Sequence, residues 1–196
     1  MLRRTLRPWT TAGIAIAPDK GDTREHLTPK KPVQGGRRMP AESGSDWPFV
    51  GRDDEVRQAL AALEDDAEFR GVALLGDSGV GKSTLARALA TTAKSRGLTV
   101  RYVLGTQTGS AVALGAFYRS VTVDAPHEPA AMLAAAHRAL EQDENLVVVV
   151  DDAHLLDPLS STLVYQLAAS GSARVVVTIR SGKDAPDAVT ALWKER

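Results

Sequence analysis

Gly76-Asp77-Ser78-Gly79-Val80-Gly81-Lys82-Ser83 stands between a short apolar run, Val72-Ala73-Leu74-Leu75, and a stretch of helical spacing over residues 84–96. In that stretch Leu85 and Leu89 share a face, and Gly97 marks the stop. The octet fits G-x-x-x-x-G-K-[ST] at every fixed position. Its chemistry explains its residue types. Glycines let the backbone curl until successive N–H groups point inward at phosphate oxygens. The helix that follows adds unpaired N–H groups and the positive end of its dipole. Lys82 is a mobile charge for the outer phosphates, and the Ser83 hydroxyl is a hard oxygen ligand suited to Mg²⁺. Residues Gly76, Asp77, Ser78, Gly79, Val80, Gly81, Lys82, Ser83 and Thr84 are thus the expected nucleotide-binding set.

Working outward, the alternation of short apolar runs with helical spacings continues. Residues 100–104 read as a second strand, 105–110 as a loop, and 112–120 and 130–141 as helices. Leu146-Val147-Val148-Val149-Val150 is the strongest strand, apolar without alternation and so buried on both faces. Asp157-Pro158 opens a further helix with Leu159, Leu163 and Leu167 on one side, and 175–179 is a fourth strand. On the amino side, Asp53 can cap a helix carrying Val56, Leu60 and Leu63 on one face. Strands separated by such helices require a parallel sheet with crossover helices on its faces. The expected fold class is therefore α/β, a P-loop NTPase three-layer sandwich over residues 47–196, preceded by a disordered segment over residues 1–46.

Composition sets limits. The 196 residues hold no cysteine, which excludes disulfides and thiolate metal sites and fits a cytoplasmic setting. No run approaches the length of a membrane span. Arg3-Arg4 is followed by residues broken by Arg7, Pro8, Thr10 and Thr11, so no export signal is expected. The net charge of zero conceals +6 over residues 1–38, from nine Lys/Arg and three acids, and −6 over the remainder. An acidic main body argues against direct DNA binding.

The second acidic site is Asp151-Asp152, directly after the strongest strand. Asp151 is assigned to Mg²⁺, and Asp152 to orienting or deprotonating an attacking water, with Lys82 as its catalytic partner. Zinc binding by Asp151, Asp152 and His154 lacks a clear further ligand, so His154 is read as structural or supporting and Asp157 as a helix cap. Thr178 and Arg180 end the fourth strand, where a polar group can sense the γ-phosphate.

In order along the chain, Phe49-Val50-Gly51-Arg52-Asp53-Asp54-Glu55, the phosphate loop, Val147-Val148-Val149-Val150-Asp151-Asp152-Ala153-His154 and Thr178-Ile179-Arg180 resemble the ATP-binding domain of the large LuxR-type transcriptional regulators of actinobacteria. These belong to the signal-transduction (STAND) branch of the AAA+-like NTPases. The resemblance implies an ATP- and Mg²⁺-dependent switch with slow hydrolysis, with Val50, Gly51 and Arg52 near the adenine. It also implies a lid and a DNA-binding domain beyond residue 196. Its common sheet order, 5-1-4-3-2 counted from the strand before the phosphate loop, places a fifth strand there too. Residues 71–75 would then be a bare sheet edge inviting self-association. The competing readings are an AAA+-type ATPase acting on a macromolecular partner, a small-molecule kinase, and an interaction piece without catalysis. GTP stays open beside ATP, since no base-reading motif is visible.

Overall fold

The computed structural model describes residues 11–15, 53–63, 71–122 and 128–194. In chain order the elements are β1 (Thr11–Ala15), α1 (Asp53–Ala61), β2 (Gly71–Gly76), α2 (Lys82–Ser95), β3 (Thr99–Leu104), α3 (Pro129–Glu141), β4 (Leu146–Asp151), α4 (Pro158–Ala169), β5 (Ala173–Arg180) and α5 (Asp187–Lys194). The five strands form one sheet in the order β1-β2-β5-β4-β3, and every pairing is parallel.

The sheet is covered on both faces. Val72, Leu74, Val147, Val149 and Val176 point to one side, where they pack with Leu60 and Leu63 of the α1 segment and Leu85 and Leu89 of α2. Ala73, Val148, Val150, Val175 and Val177 point to the other, against Leu140 of α3, Leu163 and Leu167 of α4, and Val189 and Leu192 of α5. The four β4 valines alternate between two cores and are all fully buried. This is why the run shows no polar alternation. Three layers of this kind are the architecture expected from the sequence, and the helix and strand limits shift from those readings by one to two residues at most ends.

Two expectations are corrected. Residues 11–15, placed in a disordered segment, form β1, which lies beside β2 with Thr11 opposite Gly71 and Ala15 opposite Leu75. Thr11-Ala12-Gly13-Ile14-Ala15 carries no charge or proline, so its backbone is free to take β2's outer hydrogen bonds. β2 is therefore an inner strand, and the bare edge from which self-association was expected is covered. The position allotted to a strand beyond residue 196 holds β1. The rest of the segment, residues 1–10 and 16–46, lies outside the described residues.

The second correction is the helix expected over 112–120. The chain there makes one short 3₁₀ turn, Gly115–Phe117, just after another at Gly109–Ala111. Leu114 between them adopts φ +55 and donates its N–H to Asp157 Oδ1 at 3.0 Å, which breaks any continuous helix. The turns pack so closely that a Cβ on Gly115 would overlap the Gly109 carbonyl oxygen.

Candidate nucleotide site

The chain leaves β2 at Gly76, crosses the carboxyl edge of the sheet through residues 77–81, and enters α2 at Lys82. Gly79 and Gly81 hold φ +83 and +91, a region where a side chain is strained. Gly81 is the N-cap of α2 and supplies no side-chain cap, and the first turn carries no acid. The cap and first turn thus bring no acid of their own to the first-turn N–H groups and the positive end of the dipole. Asp77, Ser78 and Gly79 are exposed, as is Thr84 at the start of the helix, while Val80 is half-buried against the α2-side core.

Lys82 is 7% exposed. Its Nζ donates to the Gly76 carbonyl at 2.8 Å and to the Asp77 carbonyl at 2.7 Å, so the ammonium is held over the loop. Gly76 O also accepts from Ser181 N at 3.0 Å, which ties the loop's root to the end of β5.

The acid after β4 is drawn into the same cluster. Strand alternation that sends Val147 and Val149 toward α2 sends Asp151 the same way. Asp151 is 2% exposed. Its Oδ1 accepts from Ser83 Oγ at 2.9 Å and from Thr178 Oγ1 at 2.7 Å, and its Oδ2 accepts from the Tyr102 hydroxyl at 2.9 Å. Ser83 of α2, Thr178 of β5 and Tyr102 of β3 thus converge on one carboxylate. Burial first, then the bond to Asp151, raises the Tyr102 phenol above its ordinary range, so it remains a donor.

Asp152 follows with φ +54, an uncommon conformation for a residue with a side chain. Its N–H donates to Thr178 Oγ1 at 2.8 Å, and its carbonyl accepts from Leu155 N at 2.9 Å, closing the 3₁₀ turn Ala153–Leu155. The Asp152 side chain is 42% exposed and that of His154 10%, with Oδ1 and Nδ1 4.0 Å apart. Burial is the main cause that lowers the His154 pKa; Lys183, Arg180 and Lys82 add to it, and Asp152 opposes. Arg180 itself is exposed at the end of β5, opposite Gly76.

Asp157 is a structural cap, as its sequence position implies. Its Oδ1 accepts from the N–H groups of Leu159 and Ser160 at the start of α4, and Ser160 Oγ donates to its Oδ2. The bond from Leu114 N adds a role the sequence does not show, clamping the loop after β3 onto α4.

The structure therefore brings together Gly76, Lys82, Ser83, Asp151, Asp152, Thr178 and Arg180 at one sheet edge. Val50, Gly51 and Arg52 lie outside the described residues. Two participants escape sequence reading. Tyr102 stands out only as a phenol within β3, and its reach to Asp151 needs the β3–β4 register, which sets it opposite Val149. Gly105 donates its N–H to Asp151 O at 2.8 Å, and a Cβ there would overlap the Asp152 carbonyl oxygen. A separate cavity of about 430 Å³, lined by Leu114, Phe117, Tyr118, Val121 and Met132 among others, belongs to the opposite face, where Leu114 and Phe117 join the α3–α4 core. It takes no part in this site.

Among the described residues, no group of three or more His, Asp or Glu is arranged to hold a metal ion. Mg²⁺ needs less, since it keeps waters and phosphate oxygens as ligands. The Ser83 hydroxyl and the Asp151 carboxylate, hard oxygens in direct contact, fit that requirement. No described helix is long and apolar enough to cross a membrane.

No curated protein sequence matches the chain. Among solved structures it is similar to the Aeropyrum pernix ORC2 protein in its ADPNP-ADP complexes, at 18% identity and a TM-score of 0.40; the match covers 66% of this chain and 39% of that one. Residues 48–125 match the family model described as the AAA ATPase domain. The chain thus has the parallel α/β fold and phosphate loop of a P-loop NTPase and, over residues 48–125, is similar to AAA ATPase domains.

Proposed function

We propose that the chain binds ATP with Mg²⁺ as a nucleotide-controlled switch with slow hydrolysis, as in the ATP-binding domain of LuxR-type transcriptional regulators. The observation that carries the nucleotide reading is the Ser83 Oγ to Asp151 Oδ1 hydrogen bond of 2.9 Å, which joins the phosphate loop to the acidic end of β4. Residues 76–84 cradle the phosphates through backbone N–H groups, and Lys82 neutralises the outer ones. Ser83 and Asp151 hold Mg²⁺. When bound, the ion would supply positive charge that offsets that of the outer phosphates. Asp152 orients the attacking water. Arg180 senses the γ-phosphate, and Thr178 acts with it through its bonds to both Asp151 and Asp152. Val50, Gly51 and Arg52 are assigned to the adenine by family resemblance. DNA contact is assigned to other parts of such regulators, and the setting is the cytoplasm.

Calorimetry with Mg²⁺-ATP tests the reading. Lys82→Ala should weaken ATP binding about 100-fold, equivalent to ~3 kcal/mol, because a charged donor is lost from a buried position. The fold should survive, since among the described residues Lys82 bonds to the carbonyls of Gly76 and Asp77, and Gly76 O keeps its bond from Ser181. Equal affinities in the two proteins would remove the central claim.

The family match fits a second reading equally well, an AAA+-type ATPase acting on a macromolecular partner. Such an enzyme needs an arginine supplied by a neighbouring subunit. Turnover per chain that rises steeply with protein concentration would favour it. A slow rate independent of concentration favours the switch.

A further inference from the structure

Among the described residues, one buried side-chain nitrogen or oxygen lacks a hydrogen-bond partner, and it is His154 Nδ1. The imidazole is only 10% exposed, so water does not readily serve this atom. Buried polar atoms are satisfied in the great majority of native sites, and an orphan marks a place where a partner is awaited. The groups that act on the ring are Asp152, Lys183, Arg180 and Lys82. Three of these are cations, which offer Nδ1 no acceptor. The fourth is the Asp152 carboxylate, whose Oδ1 lies 4.0 Å away. That is about 1 Å beyond a hydrogen bond.

Asp152 has the complementary need. Thr178 Oγ1 fixes its N–H and Leu155 N fixes its carbonyl, so its left-handed backbone is anchored on both sides. Its side chain is 42% exposed, and an exposed carboxylate without a fixed orientation directs a water poorly. Closing the pair asks about 1 Å of side-chain movement beside a backbone that is already anchored.

We propose that His154 is the positioning residue of Asp152, donating Nδ1–H to one carboxylate oxygen and so aiming the other at the attacking water. This rests on the reading of Asp152 as the water-orienting acid. Burial and the surrounding cations keep the imidazole neutral. A neutral donor orients the carboxylate while leaving it basic, whereas an imidazolium would pair with it and weaken it as a base. The ring's tautomer is thus set by Asp152.

Ring-nitrogen NMR of the full chain at neutral pH tests the pairing directly, with the His154 signals assigned by their loss in His154→Gln. The wild type should carry its proton on Nδ1, and Asp152→Ala should shift it to Nε2, the form free imidazole prefers. The same tautomer in both proteins would overturn the pairing. Single-turnover phosphate release from Mg²⁺-ATP tests its consequence. His154→Asn, whose amide nitrogen can occupy the place of Nδ1, should stay near the wild-type rate. His154→Gln, whose amide falls nearer the place of Nε2, should lose about tenfold or more in rate with ATP affinity unchanged. A His154→Gln variant as fast as wild type would overturn the positioning role, as would equal loss in both variants. A wild type that binds ATP but releases no phosphate would instead overturn the water-orienting role of Asp152, and the tautomer result would still report on the pair.

Discussion

Tyr102→Phe removes one oxygen atom and leaves the packing of β3 unchanged. That oxygen donates to Asp151 Oδ2 at 2.9 Å, while Oδ1 of the same carboxylate is served by Ser83 and Thr178. With Asp151 only 2% exposed, solvent does not readily replace the lost donor. A hydrogen bond to a charged group contributes about 1.5–3 kcal/mol. We expect a loss of ~2 kcal/mol in urea unfolding, and a Tm lower by about 4–8 °C for a domain of this size. The same bond gives a pH signature. Burial and Asp151 raise the Tyr102 pKa in the folded chain. Above about pH 10 the unfolded chain loses this proton and the folded chain keeps it. The contribution of Tyr102 is therefore complete below about pH 10 and is lost as pH rises through the higher folded value. Wild type should lose stability faster than Tyr102→Phe in that window, by up to ~1.4 kcal/mol per pH unit, so the gap between the two proteins closes. A variant within about 0.5 kcal/mol of wild type at neutral pH, or a gap that stays constant into the alkaline range, would refute this account of Asp151.

Gly81→Ala places a side chain at φ +91 with nothing within 4 Å of the new Cβ, so its cost is backbone strain alone. Urea unfolding should show a loss of about 1–2 kcal/mol, and an unchanged midpoint would contradict the left-handed N-cap. Slow hydrolysis is expected because the Asp152 arm is one methylene shorter than that of Glu, and a misplacement of about 1 Å can cost about 100-fold. Asp152→Glu should then raise phosphate release, and a wild-type rate already near the enzyme median of about 10 s⁻¹ would contradict it. Burial, aided by Lys183, Arg180 and Lys82, lowers the His154 pKa, so below its unfolded value of about 6.5 the unfolded chain binds a proton that the folded chain refuses. Stability should accordingly fall as pH drops through that range, more in wild type than in His154→Gln; parallel pH profiles would show that the ring titrates as in the unfolded chain.

The fold was legible wherever one element's pattern sufficed. The unalternating valines of β4 demanded cover on both faces, and they occupy two cores. Leu85 and Leu89 announced the inner face of α2, and Asp157-Pro158 announced the start of α4. The failures share a cause, which is dependence on a distant partner. β1 has five residues and little hydrophobic signal, and only the unpaired side of β2 makes it a strand. Residues 112–120 have helical composition, yet Leu114 N bonds Asp157 Oδ1 some forty residues away, so a tertiary contact overrides local preference.

The site divides along the same line. The phosphate loop is local: eight consecutive residues specify the curl, the ammonium and the hydroxyl, and no register is needed to find them. The acidic half is assembled by register. Asp151 could be named because a strand's carboxyl end is where ligands bind in such sheets. What holds Asp151 could not be named, because Tyr102, Ser83 and Thr178 reach it from three other elements across sequence separations of 49, 68 and 27. Parallel pairing is what brings them together. It places Tyr102 opposite Val149, Val176 opposite Val149 as well, and so sends Tyr102, Asp151 and Thr178 to the same face of the sheet as α2. A buried carboxylate needs donors, and among the described residues this arrangement supplies three hydroxyls to Asp151. The hydroxyls satisfy its lone pairs without pairing its charge, which suits the Mg²⁺ role proposed above; an arginine at the same place would not. The choice of Tyr, Ser and Thr around Asp151 thus fits the proposed Mg²⁺ role and becomes legible only once the strands are in register.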